Sequence, residues 1–202
     1  MLTLGTAGAA LVLVTSCSGG NGGTAGTPSS APPSTTTTTL PYAGAPKVEH
    51  PLPASVLAGD PCQYALTSDQ LHQIFGITPQ GKRNDTSGLG PACDWVDSDT
   101  GAAASVNYVT DTHQGLSGVY ANTKPQVRLW QVLPAIQGYP AVGHSSSDDK
   151  DFCQVSVGIR DDLTVDVSLG LSSAKVGTAD PCTTAARVAD FVVTNLRQRA
   201  GA

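Results

Sequence analysis

The sequence predicts a single α+β domain in which helices pack on one face of an antiparallel sheet of four to six strands. Two segments have apolar side chains at helical spacing, and segments between them alternate between apolar and polar residues. Each pattern leaves one apolar side to bury, and a layer of helices on a sheet buries both. Four cysteines in the same region indicate that disulfides hold the layers together.

The first predicted helix is short and has a clear beginning and end. Thr67 and Gln70 have the spacing of a capping box, in which each side chain binds the other residue's backbone N–H. Leu66 and Leu71 stand at the positions of a hydrophobic staple, and Gly76 ends the apolar stripe. We therefore predict a helix of about two turns between Thr67 and Gly76.

The second predicted helix is longer and lies near the C-terminal end of the sequence. Asp180 is the predicted N-cap, and Pro181 fits the first helical position. Arg197 and Arg199 suit the negative end of the helix dipole. The apolar stripe predicts close packing against a sheet and contains Ala185, Val188, Ala189, Val192 and Leu196.

The strands are predicted from alternation with a period of two. Residues 153–159 and 163–171 form an antiparallel hairpin around a turn at residues 160–162, with one buried and one solvated face. Further strands are predicted near residues 93–96 and 104–109.

Two other segments have weaker patterns. Residues 139–144 are predicted as an edge or connecting strand, because Pro140 has no N–H to donate to a ladder. Residues 116–122 are predicted as a middle helix, although Gly115 and Gly118 interrupt it.

The composition disfavours two classes of function. The chain has 202 residues, a formal net charge of −5 and only 13% charged residues. A general nucleic-acid-binding protein and a basic membrane-surface helix both carry a basic face, which this composition does not favour.

The first residues indicate export. Residues 2–14 form an apolar run that is too short to span a membrane and is typical of a signal peptide, predicted as residues 1–16. Thr15 and Ser16 precede Cys17, which resembles the signals after which bacterial lipoproteins are cut and acylated, with palmitate among the attached chains. We therefore predict Cys17 as the lipidation site. No Lys or Arg precedes the apolar run, and an ordinary cleaved signal followed by a chance cysteine is the alternative.

Residues 17–54 are predicted as a disordered tether. They are mainly Gly, Ser, Thr, Pro and Ala, and Lys47 and Glu49 are their only charged residues. Such a segment buries too little apolar surface to offset the entropy lost on ordering it. The tether would hold a globular α+β domain, predicted as residues 55–202, away from a membrane surface.

Four cysteines remain after Cys17: Cys62, Cys93, Cys153 and Cys182. An even number in an exported domain indicates two disulfides, and three connectivities are open. In a simple meander, Cys153 begins a strand at the end of the sheet where the chain continues to Cys182. This favours the pairs Cys153–Cys182 and Cys62–Cys93, although one additional strand would reverse the preference. Because there is no C-x-x-C pair or His/Cys cluster, no metal or other cofactor is predicted.

The order of several short motifs resembles that of a known family. Cys62 follows Asp-Pro, Cys93 begins Cys-Asp-Trp, and Gly138 begins Gly-Tyr-Pro-Ala-Val. Cys153 lies in a Val-rich strand, and Cys182 follows a second Asp-Pro before an Ala-rich helix. This pattern is similar to the actinobacterial cell-envelope lipoproteins of the domain-of-unknown-function family numbered three-five-five-eight. The resemblance implies a lipid-anchored protein on the outer face of the cytoplasmic membrane, and it implies no activity and no catalytic residues.

A search for reactive residues gives one weak candidate. Residues 143–147 read Gly-His-Ser-Ser-Ser, which departs from a nucleophile elbow because Ser147 replaces the second glycine. His144 is therefore interpreted as a loop histidine. The acidic cluster around Asp148, Asp149 and Asp151 is interpreted as a solvated loop in preference to a Ca²⁺ site.

These observations favour an exported, lipid-anchored envelope protein whose domain binds and does not catalyse. Its expected partner is an envelope protein, or a small apolar or cell-wall ligand. The alternatives are a cell-wall hydrolase that uses His144 and a lipoprotein that regulates envelope stress. Trp95 and Trp130 are the candidate ligand or partner surface, although a tryptophan beside a core-facing cysteine more often serves packing.

Overall fold

A seven-stranded antiparallel sheet forms the centre of the protein in a computed structural model, which describes residues 39–148 and 150–201. The strand order is β1-β2-β3-β7-β6-β5-β4. The strands are β1 (Lys82–Arg83), β2 (Ala92–Asp97), β3 (Ala102–Val109), β4 (Leu129–Ile136), β5 (Tyr139–Ser145), β6 (Phe152–Gly158) and β7 (Thr164–Gly170).

The number of strands exceeds the predicted four to six because β1 and β4 lack a clear alternating pattern. The two residues of β1 are both exposed, and they are too few to show a period. Along β4, Pro134 lies in an irregularity where the register shifts between Leu133 and Ile136. Both strands lie at edges of the sheet, where pairing on one side suffices.

The two predicted helices, α2 (Ser68–Phe75) and α4 (Pro181–Ala200), lie on one face of the sheet, as predicted. A short helix that was not predicted, α1 (Pro61–Tyr64), lies on the same face. We call this side the helical face; it carries Cys153 and Val155, and α4 packs across β6 and β7. Hydrogen bonds between Gln70 and Asn195 join α2 to α4.

The predicted helix ends are confirmed. Thr67 Oγ1 accepts a hydrogen bond from the Gln70 N–H, and Gln70 Oε1 accepts one from the Thr67 N–H at 2.8 Å. Gly76 ends α2 with a φ of 78°, a conformation that favours glycine. Asp180 caps α4 by accepting from the Thr183 N–H at 2.6 Å.

The core between α4 and the sheet consists mainly of Val and Ala. Small side chains on α4 let the helix axis approach the strands closely, and β-branched residues fit the pleated surface. The residues of this layer are almost completely buried: Val155, Val157, Val165, Val167, Ala185, Val188, Ala189, Val192 and Leu196.

The opposite side of the sheet, which we call the polar face, has a smaller cover. A middle helix is present as α3 (Gly115–Gly118), and a π-helical turn over Val119–Thr123 continues it. Leu116 packs over Gly158, where an added Cβ would lie 2.8 Å from Leu116 Cδ1. Glycine at position 158 therefore lets α3 rest directly on β6.

The folded part begins before residue 55, which corrects the predicted boundary between the tether and the domain. The Val48 N–H donates to Asp161 Oδ1 at 2.8 Å, and the Leu52 N–H donates to the Ile159 carbonyl at 3.0 Å. Val48 and Leu52 are both buried. These two apolar anchors are too few to change the average composition of the segment, so composition alone assigned it to the tether. Residues 17–38 of the predicted tether lie outside the described residues.

Residues 139–144 were predicted as an edge or connecting strand; a strand is present there, but it does not lie at an edge of the sheet. They belong to β5, which pairs with β4 on one side and β6 on the other. Pairing with β6 begins at Ala141, so Pro140 lies just before that ladder and removes no hydrogen bond from it.

Candidate functional site

The two disulfides join helix N-termini to the helical face of the sheet. Cys62 of α1 is bonded to Cys93 of β2, and Cys153 of β6 is bonded to Cys182 of α4. Cys153 lies opposite Leu169, near the end of β7, and the chain continues from there to α4. This is the arrangement for which the sequence favoured the same pairing.

Cys17, the predicted lipidation site, lies outside the described residues. The four cysteines within the described residues are all in disulfides. Bridges of this kind are typical of proteins that fold in oxidising compartments.

Trp95 is a packing residue and lines no surface. It lies on the helical face two residues after Cys93, and only 1% of it is exposed. Its assignment to a ligand or partner surface is therefore wrong, because a buried indole cannot contact a partner. Packing beside the Cys62–Cys93 bridge is the role that the structure gives it.

Trp130 lies on the polar face at the far side of the sheet, so the structure does not bring the two tryptophans together. The ring of Tyr120 meets it edge-on at 5.0 Å, and His144 stacks on it at 6.1 Å between centroids. Lys124 Nζ lies 5.4 Å from the Trp130 centroid. These contacts hold the half-buried indole in a defined orientation.

His144 has a serine partner that the sequence did not indicate. Its Nε2 lies 3.2 Å from Ser156 Oγ, whereas Ser145 and Ser147 contact each other. Burial lowers the pKa of His144 to about 4, so the ring is neutral near pH 7. Ser156 has no exposed surface, and a nucleophile in that position cannot be reached by a substrate. The pair is therefore a buried hydrogen bond in the fold.

The acidic loops contain no metal site among residues 39–148 and 150–201, where no group of three His, Cys, Asp or Glu side chains could hold an ion. Asp148 pairs with Arg128, and Asp162 pairs with Arg160. Asp97 accepts hydrogen bonds from the Thr100 hydroxyl and the Asp99 N–H, which lower the pKa of Asp97 and close a turn.

A set of polar side chains on the polar face is the candidate site. Directly paired residues of antiparallel strands share a face, so the register defines which side chains are neighbours. One row runs from Asp94 through Ser105 and Ser168 to Gln154, and the next contains Asn107 and Asp166. We call this set the polar platform: Asp94, Ser105, Asn107, Gln154, Asp166 and Ser168.

Several buried polar atoms on this face have no hydrogen-bond partner among the described residues. They are Asn107 Oδ1, Trp130 Nε1, Thr164 Oγ1 and Asp166 Oδ1, whereas a fifth such atom, Tyr108 Oη, lies on the helical face. Each unsatisfied buried group costs roughly 1–3 kcal/mol. Unpartnered atoms of this kind call for an explanation in a native fold.

Burial raises the pKa of Asp166 to about 6. The nearby Ser156, Thr164 and Gln154 side chains oppose this rise, and Gln154 Nε2 donates to Asp166 Oδ2 at 2.9 Å. The carboxyl group has no salt-bridge partner among the described residues. It is therefore a weakly acidic group that can still accept hydrogen bonds.

The sequence alone did not single out Asn107 and Asp166, because each looks like an ordinary solvated position of an alternating strand. Their alternation with Val106 and Val167 did place them on the wetter face. They lie side by side because β3 pairs with β7, and these two strands are far apart in the chain.

A second open feature is an apolar groove of about 630 Å³ between β4 and α4. Leu133 and Ile136 line one wall, and Ala186 and Phe191 line the other. The volume is within the usual range for ligand sites. The polar side chains at its rim are all at least partly exposed, so none is a buried group that would orient a ligand.

The chain belongs to the family described as protein of unknown function (DUF3558), whose model matches residues 12–195. No curated protein and no solved structure matches it. Among residues 39–148 and 150–201, no helix is both long enough and apolar enough to cross a membrane.

Proposed function

We propose that this protein is exported, is anchored to the outer face of a bacterial cytoplasmic membrane through a lipid on Cys17, and carries a domain that binds without catalysing a reaction. The use of the cysteines carries this proposal. Four form two disulfides of the domain, and the fifth follows an apolar run and two small residues. An oxidising compartment and a separate role for Cys17 account for both facts.

The family match also supports a role for the N-terminal region. The matched range begins at residue 12, so the region around Cys17 lies within the part of the chain that the family model covers. A tether between an anchor and a domain would leave the domain free to reach its ligand.

Binding without catalysis is supported by where the candidate nucleophile lies. Ser156 is fully buried and His144 is 6% exposed, so their hydrogen-bonded pair is closed to a substrate. The polar platform, by contrast, is partly open to solvent, and all six of its side chains can form hydrogen bonds. These features suit recognition of a ligand by hydrogen bonds.

The lipid anchor can be tested on the full chain produced in an exporting bacterium. The mature protein is expected to partition into the detergent phase, and mass spectrometry of its N-terminal peptide should show a diacylated Cys17. The variant Cys17→Ser should be aqueous and should keep both disulfides, because the cysteines of the domain are unchanged. An unmodified N-terminal peptide in the wild-type protein would contradict the anchor.

A further inference from the structure

The two edges of the sheet differ in how they are protected against pairing with another chain. At one edge, β1 has only two residues, Lys82 and Arg83, and both are charged and exposed. At the other edge, β4 has eight residues, and none of them is charged. Natural proteins protect edge strands by making them short, by placing charges on them, and by proline or bulges. The strand β1 has the first two of these features, whereas β4 has neither.

Proline and a bulge protect only the second half of β4. Pro134 lies in the irregularity where the register shifts between Leu133 and Ile136. The residues before it, Leu129–Leu133, pair regularly with β5, and we call them the open edge. Within the described residues, the backbone of the open edge forms hydrogen bonds only with β5. Alternate N–H and carbonyl groups of such a strand point away from the sheet, where an added strand can bind them.

The open edge has apolar side chains on both faces of the sheet. Val132 is directly opposite Val142 on the polar face and is 66% exposed. Leu133 lies on the helical face, where it lines the apolar groove beside α4. An added strand would lie about 4.8 Å from β4, with its side chains alternating between the two faces. An extended peptide with apolar residues would therefore fill the groove with one set of side chains and cover Val132 with the other.

The groove also has an exposed positive charge on its helical wall. Arg187 and Asp190 of α4 are the charged residues that line it. Asp190 Oδ1 accepts a hydrogen bond from Gln137 Nε2 at 2.8 Å. Arg187 is exposed and forms no ion pair within the described part of the chain. A carboxylate on the added strand would complement this guanidinium.

The chain itself does not supply a strand of this kind. A second copy that paired through its own β4 would bring no carboxylate to Arg187, because Leu129–Ile136 contains neither Asp nor Glu. Residues 17–38 also lack Asp and Glu, and they contain no Val, Leu, Ile, Met, Phe, Tyr or Trp that could fill an apolar groove. The groove and Arg187 therefore favour a strand from another protein.

We propose that the open edge of β4 and the groove beside α4 bind an extended segment of a partner protein, which adds a strand to the sheet and pairs an acidic side chain with Arg187. In this mode of recognition, main-chain hydrogen bonds give affinity and alternate side chains give specificity. The backbone of the open edge thus supplies the orienting groups that the rim of the groove lacks. The inference extends the proposed binding role to a second surface, and it depends neither on the polar platform nor on the lipid on Cys17.

The test begins with a library of random dodecapeptides displayed on phage and selected against the full-length protein in detergent. Enriched sequences are expected to have apolar residues at alternate positions, at least one Asp or Glu, and no Pro within that stretch. A synthetic peptide of the consensus sequence is expected to bind with a Kd of about 100 μM or lower in isothermal titration.

Methylation of the peptide's backbone nitrogens tests strand addition directly. Two peptides are compared, each methylated at one of the two alternating sets of residues. One of them should bind at least about tenfold more weakly than the other, because only one set directs its N–H groups toward β4. A peptide held by its side chains alone would not distinguish the two sets.

An exchange of charges tests the role of Arg187. Arg187→Glu should weaken binding by about fivefold or more, because it replaces an attraction at an exposed position with a repulsion. Replacing the acidic residue of the peptide by Lys should restore most of the lost affinity. Restored binding requires a folded variant, so misfolding cannot imitate this result. Lys82→Glu, at the opposite edge of the sheet, is the matched control and should leave the affinity unchanged.

Four results would overturn the inference. They are enriched peptides without the alternating pattern, equal binding by the two methylated peptides, failure of Lys in the peptide to restore binding to Arg187→Glu, and a dimer in sedimentation that the peptide does not dissociate. The last result would assign the open edge to a second copy of the chain. A protein that carries lipid on Cys17 but binds no such peptide would refute this inference alone, and a protein that binds the peptide without lipid would refute the anchor alone.

Discussion

The two faces of the sheet are formed by the same strands but differ in the side chains that they carry and in what those side chains contact. On the helical face, Val155 and Val167 pack against the small residues of α4, and two disulfides join helices to strands. On the polar face, the neighbouring positions are Ser, Asn, Gln and Asp, and four buried polar atoms lack a partner within residues 39–148 and 150–201. The helical face gains stability from burial, whereas the polar face retains groups that destabilise the fold.

This difference is the reason that the candidate site is placed on the polar face. A stable face can offset the unsatisfied groups of the other, and such groups call for an explanation, such as a buried water or a functional role. The following predictions test whether the two faces differ in this way, beginning with the largest expected effect.

Truncating one tryptophan on each face compares them directly. Trp95→Ala should lower the free energy of unfolding by about 3–5 kcal/mol, because it leaves a large cavity in the helical layer. Trp130→Ala should cost only about 1–2 kcal/mol, since this indole is half-buried. Urea unfolding of both variants measures the difference. Equal losses would show that the faces contribute alike to stability.

Removing the Cys153–Cys182 bridge should weaken the attachment of α4 to the helical face. Cys153→Ala combined with Cys182→Ala is expected to lower the free energy of unfolding by about 2–4 kcal/mol, mainly because the unfolded chain becomes less restricted. The two alanines also avoid a reactive single thiol. Reducing agent should destabilise the wild-type protein more than this variant, which retains only Cys62–Cys93. An unchanged urea midpoint would contradict a stabilising role of the bridge.

The polar face should dominate the pH dependence of stability. The pKa of Asp166 is raised to about 6 from its ordinary 3.8, so the folded state binds more protons than the unfolded state between these values. The contribution of Asp166 to the free energy of unfolding therefore falls as pH rises from 4 to 6. The pKa of His144 is lowered to about 4 from 6.5, so here the unfolded state binds more protons than the folded state. The contribution of His144 to the free energy of unfolding therefore rises as pH goes from 4 to 6.5. In the wild-type protein these two contributions to the free energy of unfolding change in opposite directions with pH.

Single variants should reveal each slope. In the Asp166→Asn variant the free energy of unfolding should rise by about 1–3 kcal/mol as the pH goes from 4 to 6.5, because of these two groups only His144 remains. In the His144→Asn variant it should fall by a similar amount from pH 4 to 6, because of these two groups only Asp166 remains. Chemical unfolding at a series of pH values measures both. Parallel profiles for the two variants would refute the assigned shifts.

The smallest expected effect concerns a single cap on the helical face. Asp180→Ala should cost about 1 kcal/mol, because the Thr183 N–H at the start of α4 loses its acceptor. Asp180→Asn is the matched control and should cost less, since the amide oxygen can still accept. A loss as large as that from Trp95→Ala would mean that α4 depends on its cap more than on its packing.

The elements with strong local patterns were predictable from the sequence. The capping box at Thr67 and Gln70 and the cap at Asp180 depend on residues within one helical turn of each other. The alternation around residues 160–162 likewise predicts its hairpin. The edge strand β4 was missed because its residues do not alternate clearly and its register shifts between Leu133 and Ile136. The segment around Val48 was missed because it is held by contacts with residues distant in the chain.

The candidate site could be predicted only in part, for the same physical reason. Trp130 was identified because tryptophan is rare and large, and Trp95 was assigned wrongly because residue type does not reveal burial. The pair of His144 with Ser156 depends on neighbouring strands. Asn107 and Asp166 are brought together by pairing between β3 and β7.

The sequence by itself determined the two capped helices, the hairpin, the even set of domain cysteines and the family, because these follow from local spacing and composition. The tertiary structure decided which polar side chains share one face and which of their atoms have no partner. Those properties depend on strand order and register, which local residues do not encode. Neighbouring strands meet across the sheet irrespective of their separation in the chain.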